Sequence, residues 1–165
     1  MKHHIRCTIN GVEHELLVES HHTLIQVLRD QLKLFGAREA CGVSVCGACT
    51  VLVDGEPVSS CVMLAPFADG KKIETIEGLA HGDELHPLQE EFWKKGAVQC
   101  AYCTSGLIMA AKAMFDEIPD ATEEEMKEYL AGNICRCTGY VKILDAIYAA
   151  KERLFAKQQS GQETA

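Results

Sequence analysis

The sequence predicts an α+β protein made of two small units, one mixed and one helical. Hairpin signals and alternating apolar residues fill the first half, helix-forming segments follow from about residue 84, and most of the nine cysteines fall into two separate sets. A chain of 165 residues, 47% hydrophobic and 24% charged, can bury one or two compact cores. We expect a mixed unit in residues 1–79, a helical unit in 80–157 and a flexible polar tail in 158–165.

Two-residue turn signals predict the hairpins of the first unit. Asn10-Gly11 lies between alternating apolar positions, which predicts a β-hairpin over residues 5–19. Apolar residues at helical spacing follow and predict a helix that ends at Gly36. Asp54-Gly55 marks a second hairpin, and residues 71–79 predict one more strand with a turn. The order β-β-α-β-β-β indicates a small mixed sheet with one helix.

Helix signals dominate the second unit. Pro87 can open one helix, and a second runs toward Pro119. Thr122 and Glu125 form a capping box for a third. A fourth follows Thr138, with an apolar stripe of Tyr140, Leu144, Ile147, Tyr148 and Leu154. Four helices of this length predict a compact bundle.

Charge and hydropathy argue against two kinds of partner. A formal net charge of −8 does not suit nucleic acid, which is bound through clustered Lys and Arg. No apolar run is long enough for a signal-peptide core or a membrane span, so we expect a cytoplasmic chain. In a reducing compartment, nine cysteines indicate metal ligands rather than disulfides.

The first cysteine set has the spacing of a plant-type [2Fe–2S] site. Three cysteines follow C-x4-C-x2-C and a fourth comes after eleven further residues: Cys41, Cys46, Cys49 and Cys61. A loop that wraps two irons must let backbone N–H groups approach the sulfurs, which suits the small neighbours Gly42, Gly47 and Ala48. Zinc also binds four thiolates, but its usual pattern is two C-x-x-C knuckles.

The second set is less decisive by spacing alone. It combines C-x2-C with C-x-C thirty-one residues later: Cys100, Cys103, Cys135 and Cys137. An iron–sulfur site is favoured, while zinc or a redox dithiol stays open. Both pairs precede predicted helices, where free backbone N–H groups favour thiolates and a negatively charged cluster.

The remaining candidate ligands have simpler interpretations. Cys7 alternates with Ile5 and Ile9 on the first strand, so it is predicted to be a small buried hydrophobe. The histidines include two adjacent pairs, but none stands at helical metal spacing with a carboxylate. We expect them at the surface.

Three motifs in series carry a resemblance to a known family. "CGACTVLVDG", "QCAYCTSGLIMAA" and "GNICRCTGY" occur in this order. The chain resembles, over about residues 3–156, the iron–sulfur subunit of molybdenum hydroxylases of the xanthine oxidase family. The resemblance implies a β-grasp ferredoxin-like [2Fe–2S] domain followed by an all-α four-helix [2Fe–2S] domain.

The resemblance also implies partners and a function. A large subunit would carry a molybdopterin cofactor and a medium subunit FAD, in a dimer of heterotrimers. Single electrons would pass through both clusters between molybdenum and flavin, so this chain would be an enzyme subunit that performs no substrate chemistry itself. Gln99 and Cys100 would lie against the pterin, with Cys100 also a cluster ligand.

The sequence departs from the usual family pattern at a few loop positions. Many relatives have glycine at one or both of the positions of Ser44 and Val45, glycine at Ala101 and proline at Ser105. If residue 101 needs a positive φ, alanine there costs about 1 kcal/mol. All eight predicted ligand cysteines are present.

Two other functions fit parts of the pattern. One is a freestanding two-cluster ferredoxin-like electron carrier without obligate partners. The other is a structural or sensing module with zinc in the helical half. Visible colour distinguishes zinc thiolates, which are colourless, from iron–sulfur clusters.

Overall fold

The first unit is a five-stranded mixed sheet covered by one short helix. A computed structural model describes residues 1–160 and, within the last helix, side chains up to residue 155. The strands are β1 (Lys2–Ile9), β2 (Val12–Glu19), β3 (Thr50–Val53), β4 (Glu56–Ser59) and β5 (Lys72–Glu74). They lie in the order β2-β1-β5-β3-β4; β1 and β5 are parallel and the other pairs are antiparallel.

Both predicted hairpins are confirmed. β1 and β2 are joined at Asn10-Gly11, and β3 and β4 at Asp54-Gly55, with positive φ at all four turn residues. Two consecutive positive φ angles define the turn that matches the twist of a two-stranded ribbon. The β-β-α-β-β-β order is therefore confirmed, and it places Cys7 in the sheet core at 5% exposure, as predicted.

The helix between β2 and β3 is shorter than predicted. α1 (Leu24–Gln26) continues as a π-helical turn, Val27–Gln31, and ends five residues before Gly36. Lys33 has a φ of 59°, and the Leu34 N–H donates to the Leu28 carbonyl at 2.8 Å. Leu32 and Leu34 extend the apolar pattern beyond the end of the helix, because both pack against the core of the first unit from the irregular segment that follows it.

The second unit contains the four other helices: α2 (Pro87–Lys94), α3 (Thr104–Glu117), α4 (Glu123–Tyr129) and α5 (Val141–Ser160). Thr122 caps α4 with Glu125 in the predicted capping box. α5 buries Ile147 fully, and the rest of the predicted stripe packs half-buried against the helical core.

Residues 158–165 were predicted to form a flexible tail. Residues 158–160 are the end of α5, and residues 161–165 lie outside the described residues. In the described part of the chain, no helix is long and apolar enough to cross a membrane.

Strand β3 connects the two cores. Val51 and Val53 point into the core of the first unit, and Leu52 belongs to the core of the helical unit. Side chains of a strand alternate between its two faces, so a strand covered on both faces reads as a continuous apolar run. α3 is the helix that covers the second face of β3.

The two units approach each other closely at two glycines. A Cβ on Gly106, in the first turn of α3, would overlap the carbonyl oxygen of Gly47. A Cβ on Gly47 would overlap the side chain of Asn133. α3 can approach the loop before β3 because Gly106 lacks a side chain, and that loop can approach Asn133 because Gly47 lacks one.

We expect Gly106→Ala to weaken this contact. Overpacking against a backbone atom costs about 1–3 kcal/mol, which lowers the unfolding midpoint by at least about 2 °C for a chain of this size. Gly132→Ala is the matched control, because a Cβ there meets no atom within 4 Å. Scanning calorimetry at one fixed rate checks both variants, and equal midpoints would contradict the close-approach argument.

Ala101 lies in the left-handed region, with a φ of 63°. A positive φ at residue 101 was considered from the sequence alone, and the structure has one. We therefore expect Ala101→Gly to stabilise the protein by up to about 1 kcal/mol, because glycine has no Cβ that is strained in this region. Ala131→Gly is the control, in a 3₁₀ turn where φ is negative. It should destabilise by about 0.5–1 kcal/mol. The same calorimetric comparison measures both, and opposite signs are required.

Candidate metal centres

The first cysteine set lies in the loop that joins α1 to β3, together with Cys61 just after β4. Positive φ angles at Gly42, Ser44 and Gly47 curl this loop around its own sulfurs. The N–H groups of Val43 and Val45 point at Cys41 Sγ, with N···S distances of 3.5 and 3.3 Å. Backbone donors therefore do approach the sulfur, but they belong to Val43 and Val45 rather than to the small residues Gly42, Gly47 and Ala48; both valine side chains are exposed, so they do not block the approach.

The thiols of the first set are arranged as two neighbouring pairs. Cys41 lies beside Cys46, and the N–H groups of Val43 and Val45 lower its pKa to about 6. Cys61 lies beside Cys49, and burial raises its pKa to about 11. Metal binding replaces the thiol protons, so donors aimed at sulfur favour the ligating thiolate.

The structure brings the second set together from two helix beginnings. Cys103 directly precedes α3, and Cys135 and Cys137 lie in the loop before α5. The Sγ atoms of Cys100 and Cys137 are 3.5 Å apart, across a sequence gap of 37 residues. Cys103 lies beside Cys135, so this set also forms two pairs.

Hydrogen bonds and burial differ between the two pairs of the second set: Cys135 is buried and Cys103 partly buried, whereas both members of the other pair are exposed. Burial raises the pKa of Cys103 to about 12. Burial also acts to raise the pKa of Cys135, but the hydroxyl and N–H of Thr138 and the N–H of Cys137 outweigh it, so this pKa is lowered. Cys100 and Cys137 are exposed, and the Tyr102 N–H lowers the pKa of Cys100.

The donor chemistry of both sets fits an iron–sulfur cluster. Each set offers four free thiols, in two pairs, with N–H donors aimed at sulfur. Two thiolates on each of two metal ions is the arrangement that a [2Fe–2S] cluster needs. Among the described residues, no three His, Cys, Asp or Glu side chains are gathered as ligands of a single ion.

A direct hydrogen bond connects the two cysteine sets. The N–H of Ile134 donates to the carbonyl of Cys46 at 2.9 Å, so one residue before Cys135 touches the backbone of a first-set cysteine. The buried Asn133 adds a second bond, from its Nδ2 to the carbonyl of Gly47 at 3.1 Å. The loops that carry the two candidate sites are therefore hydrogen-bonded directly to each other.

Three side chains fix the loop of the second set against the loop of the first. Arg38 donates to the carbonyl of Ala101 at 2.7 Å, the hydroxyl of Tyr102 to the carbonyl of Glu39 at 2.6 Å, and that of Ser105 to the carbonyl of Gly36 at 2.6 Å. A proline at position 105 could not make the last bond.

Sequence reasoning missed these fastening residues. Asn133 lies inside the motif GNICRCTGY, so position in that motif was an available signal. Arg38 gave no signal, because its partner is 63 residues away. Gln99, predicted to touch a pterin, lies exposed at the surface beside Cys100. The histidines were expected at the surface; His4, His21 and His81 are exposed, whereas His3, His14, His22 and His86, the cap of α2, are partly buried.

Comparison with protein-family models divides the chain as its two cysteine sets do. A "2Fe-2S iron-sulfur cluster binding domain" matches residues 7–80, and a "[2Fe-2S] binding domain" matches residues 75–148. The first match includes the whole first set, and the second match includes the whole second set.

Relatives of known function are similar over almost the whole chain. The nicotinate dehydrogenase small FeS subunit of Eubacterium barkeri is 44% identical, over 90% of this chain and 95% of its own. The xanthine dehydrogenase iron-sulfur-binding subunit of Escherichia coli O157:H7 is 46% identical, over 87% of this chain and 91% of its own. Quinoline 2-oxidoreductase from Pseudomonas putida 86 matches in structure with a TM-score of 0.89 and 41% identity, over 94% of this chain and 97% of that one. The chain therefore belongs to the iron–sulfur small subunits of molybdenum hydroxylases of the xanthine oxidase family.

Proposed function

We propose that this chain is the electron-transfer subunit of a molybdenum hydroxylase complex and carries two [2Fe–2S] clusters between a molybdenum centre and FAD. The observation that carries the proposal is the pair of four-thiol sets whose backbones are joined by the bond between Ile134 and Cys46. A one-electron centre of this kind lets a two-electron donor and a two-electron acceptor exchange electrons singly. Substrate chemistry belongs to another subunit.

The proposed ligands are the eight cysteines of the two sets. Cys41, Cys46, Cys49 and Cys61 hold one cluster in a β-grasp domain, residues 1–79. Cys100, Cys103, Cys135 and Cys137 hold the other in an all-α four-helix domain, residues 80–157. The neighbouring pairs within each set support this assignment.

The residues around the sulfurs set the properties of each site. N–H donors stabilise the thiolate form, and their number and alignment help to set a reduction potential. Cys49 and Cys61 are only 2% and 6% exposed, so water is largely kept from that half of the first site. The exposed Cys100 and Cys137 give the second site an open edge.

That open edge is the proposed entry side for electrons. Gln99 and Cys100 lie exposed next to each other, with Gln99 free to form a hydrogen bond to a pterin and Cys100 able to serve as ligand and bridge. The large subunit would carry the molybdopterin cofactor and cover this edge, and a medium subunit would carry FAD. We place the complex in the cytoplasm as a dimer of heterotrimers. The formal net charge of −8 favours basic or polar partner surfaces.

Metal and flavin analysis of a tagged complex, purified gently from the native host, tests this function. We expect about four irons per molybdenum, together with FAD and two larger chains. Iron without molybdenum or partners would instead support a freestanding ferredoxin-like carrier. Zinc would overturn the assignment of at least one cysteine set.

We expect Cys137→Ser to remove one cluster and spare the other, because the two sets are separate ligand groups. Iron should fall from about four to about two per chain, and one of the two cluster signals should disappear from the electron paramagnetic resonance (EPR) spectrum. Cys7→Ala is the matched control, since Cys7 lies in the sheet core and not in either set. It should keep all the iron, and equal loss of both cluster signals in Cys137→Ser would contradict two independent sites.

We expect Gln99→Leu to slow electron entry without changing iron content, because Gln99 lies beside the second site and is not a proposed cluster ligand. Loss of one hydrogen bond to the pterin should slow reduction of the clusters by substrate by about tenfold. Stopped-flow absorbance measures this rate. Reduction by dithionite is the control and should be unchanged; slowing of both would indicate damage to the site itself.

A further inference from the structure

The loop between Cys135 and α5 contains a hydroxyl with two defined partners. Thr138 Oγ1 lies 3.1 Å from Cys135 Sγ and 3.2 Å from the backbone nitrogen of Tyr140. An N–H can only donate, so the oxygen of Thr138 accepts from Tyr140. Its single proton is then available to the sulfur of Cys135.

Tyr140 holds an unfavourable backbone conformation to make this arrangement. Its φ is 69°, directly after Gly139 at 65°, and a bulky residue in this region is strained. Its hydroxyl accepts the N–H of Cys135 at 2.8 Å and lies 3.4 Å from the carbonyl of Asn133. One residue thereby fixes both the backbone of Cys135 and the orientation of the Thr138 hydroxyl.

We propose that Thr138 raises the reduction potential of the cluster in the helical domain by donating a hydrogen bond to Cys135. The inference rests on the proposed function, in which Cys135 is a ligand. One electron from the molybdenum centre changes the cluster charge from about −2 to about −3 and later leaves to the flavin. No bond to Thr138 forms or breaks, and its proton stays on Oγ1.

A donor at this sulfur stabilises the reduced state more than the oxidised state, because the reduced state has more negative charge. A hydrogen bond to a charged group is stronger than one between neutral groups. Cys135 is 8% exposed, so water cannot easily replace the lost donor. Partial recovery by the nearby N–H groups leaves an expected effect of about tenfold on the equilibrium.

Thr138→Val tests the proposal in the complete complex, since valine keeps the shape and removes the hydroxyl. At a fixed solution potential, the ratio of reduced to oxidised second cluster should fall about tenfold, which is 59 mV for a one-electron couple. The first cluster should not shift. EPR-monitored redox titration measures both clusters, and pulsed EPR should lose the coupling of one exchangeable proton.

Two further variants separate the hydroxyl from packing. Thr138→Ser keeps the donor and should retain the wild-type potential and proton coupling. Thr75→Val removes a hydroxyl that donates to the Glu77 carboxylate rather than to sulfur, and should leave the second potential unchanged. An unchanged ratio in Thr138→Val, or an equal shift in Thr138→Ser, would overturn the inference.

Failure of the proposed function is visible separately. A wild-type complex with about two irons per chain and no second cluster signal would overturn that function, and this inference with it, before any variant is compared. Four irons with an unshifted Thr138→Val potential would overturn the inference alone.

Discussion

Close contact between two backbone segments is the constraint on which the rest of this structure depends. The loop around Gly47 and the first turn of α3 at Gly106 meet without side chains between them. Asn133 lies beside this contact and donates a hydrogen bond to the Gly47 carbonyl. This contact places the Ile134 N–H on the Cys46 carbonyl. A side chain at either glycine would separate the units and lengthen the path between the two cysteine sets. The fold therefore fixes a distance, and that distance is what an electron-transfer protein must control.

Local patterns in the sequence predicted the elements well because each element has a local cause. Asn10-Gly11 and Asp54-Gly55 determine their hairpins through two consecutive positive φ angles, and Thr122 caps α4 by bonding three residues ahead. The helix end at Gln31 was missed because Leu32 and Leu34 kept the apolar pattern while packing on the same core from an irregular segment. Periodicity reports which side chains are buried and does not report the backbone conformation that buries them.

The cysteine sets could be predicted as sets, but their environment could not. Spacing groups the four thiols of each set, because a metal site imposes its own geometry on a short loop. The bonds from Arg38, Ser105 and Asn133 join residues 63 to 86 positions apart, and no local rule connects such partners. The positive φ of Ala101 was predicted only conditionally, because alanine gives no sign of the conformation that it adopts.

Both candidate sites stabilise thiolates with backbone N–H donors, but the second site adds a side-chain donor, and this difference determines how each site can change. In the first site, the donors to Cys41 are the N–H groups of Val43 and Val45, held by positive φ angles at Gly42 and Ser44. A side-chain substitution cannot remove such donors without moving the loop. In the second site, Cys135 receives a donor from the side chain of Thr138, which a single residue change removes. Substitution at Thr138 can therefore adjust the helical site while the ferredoxin-like site, and the contact between them, stays in place.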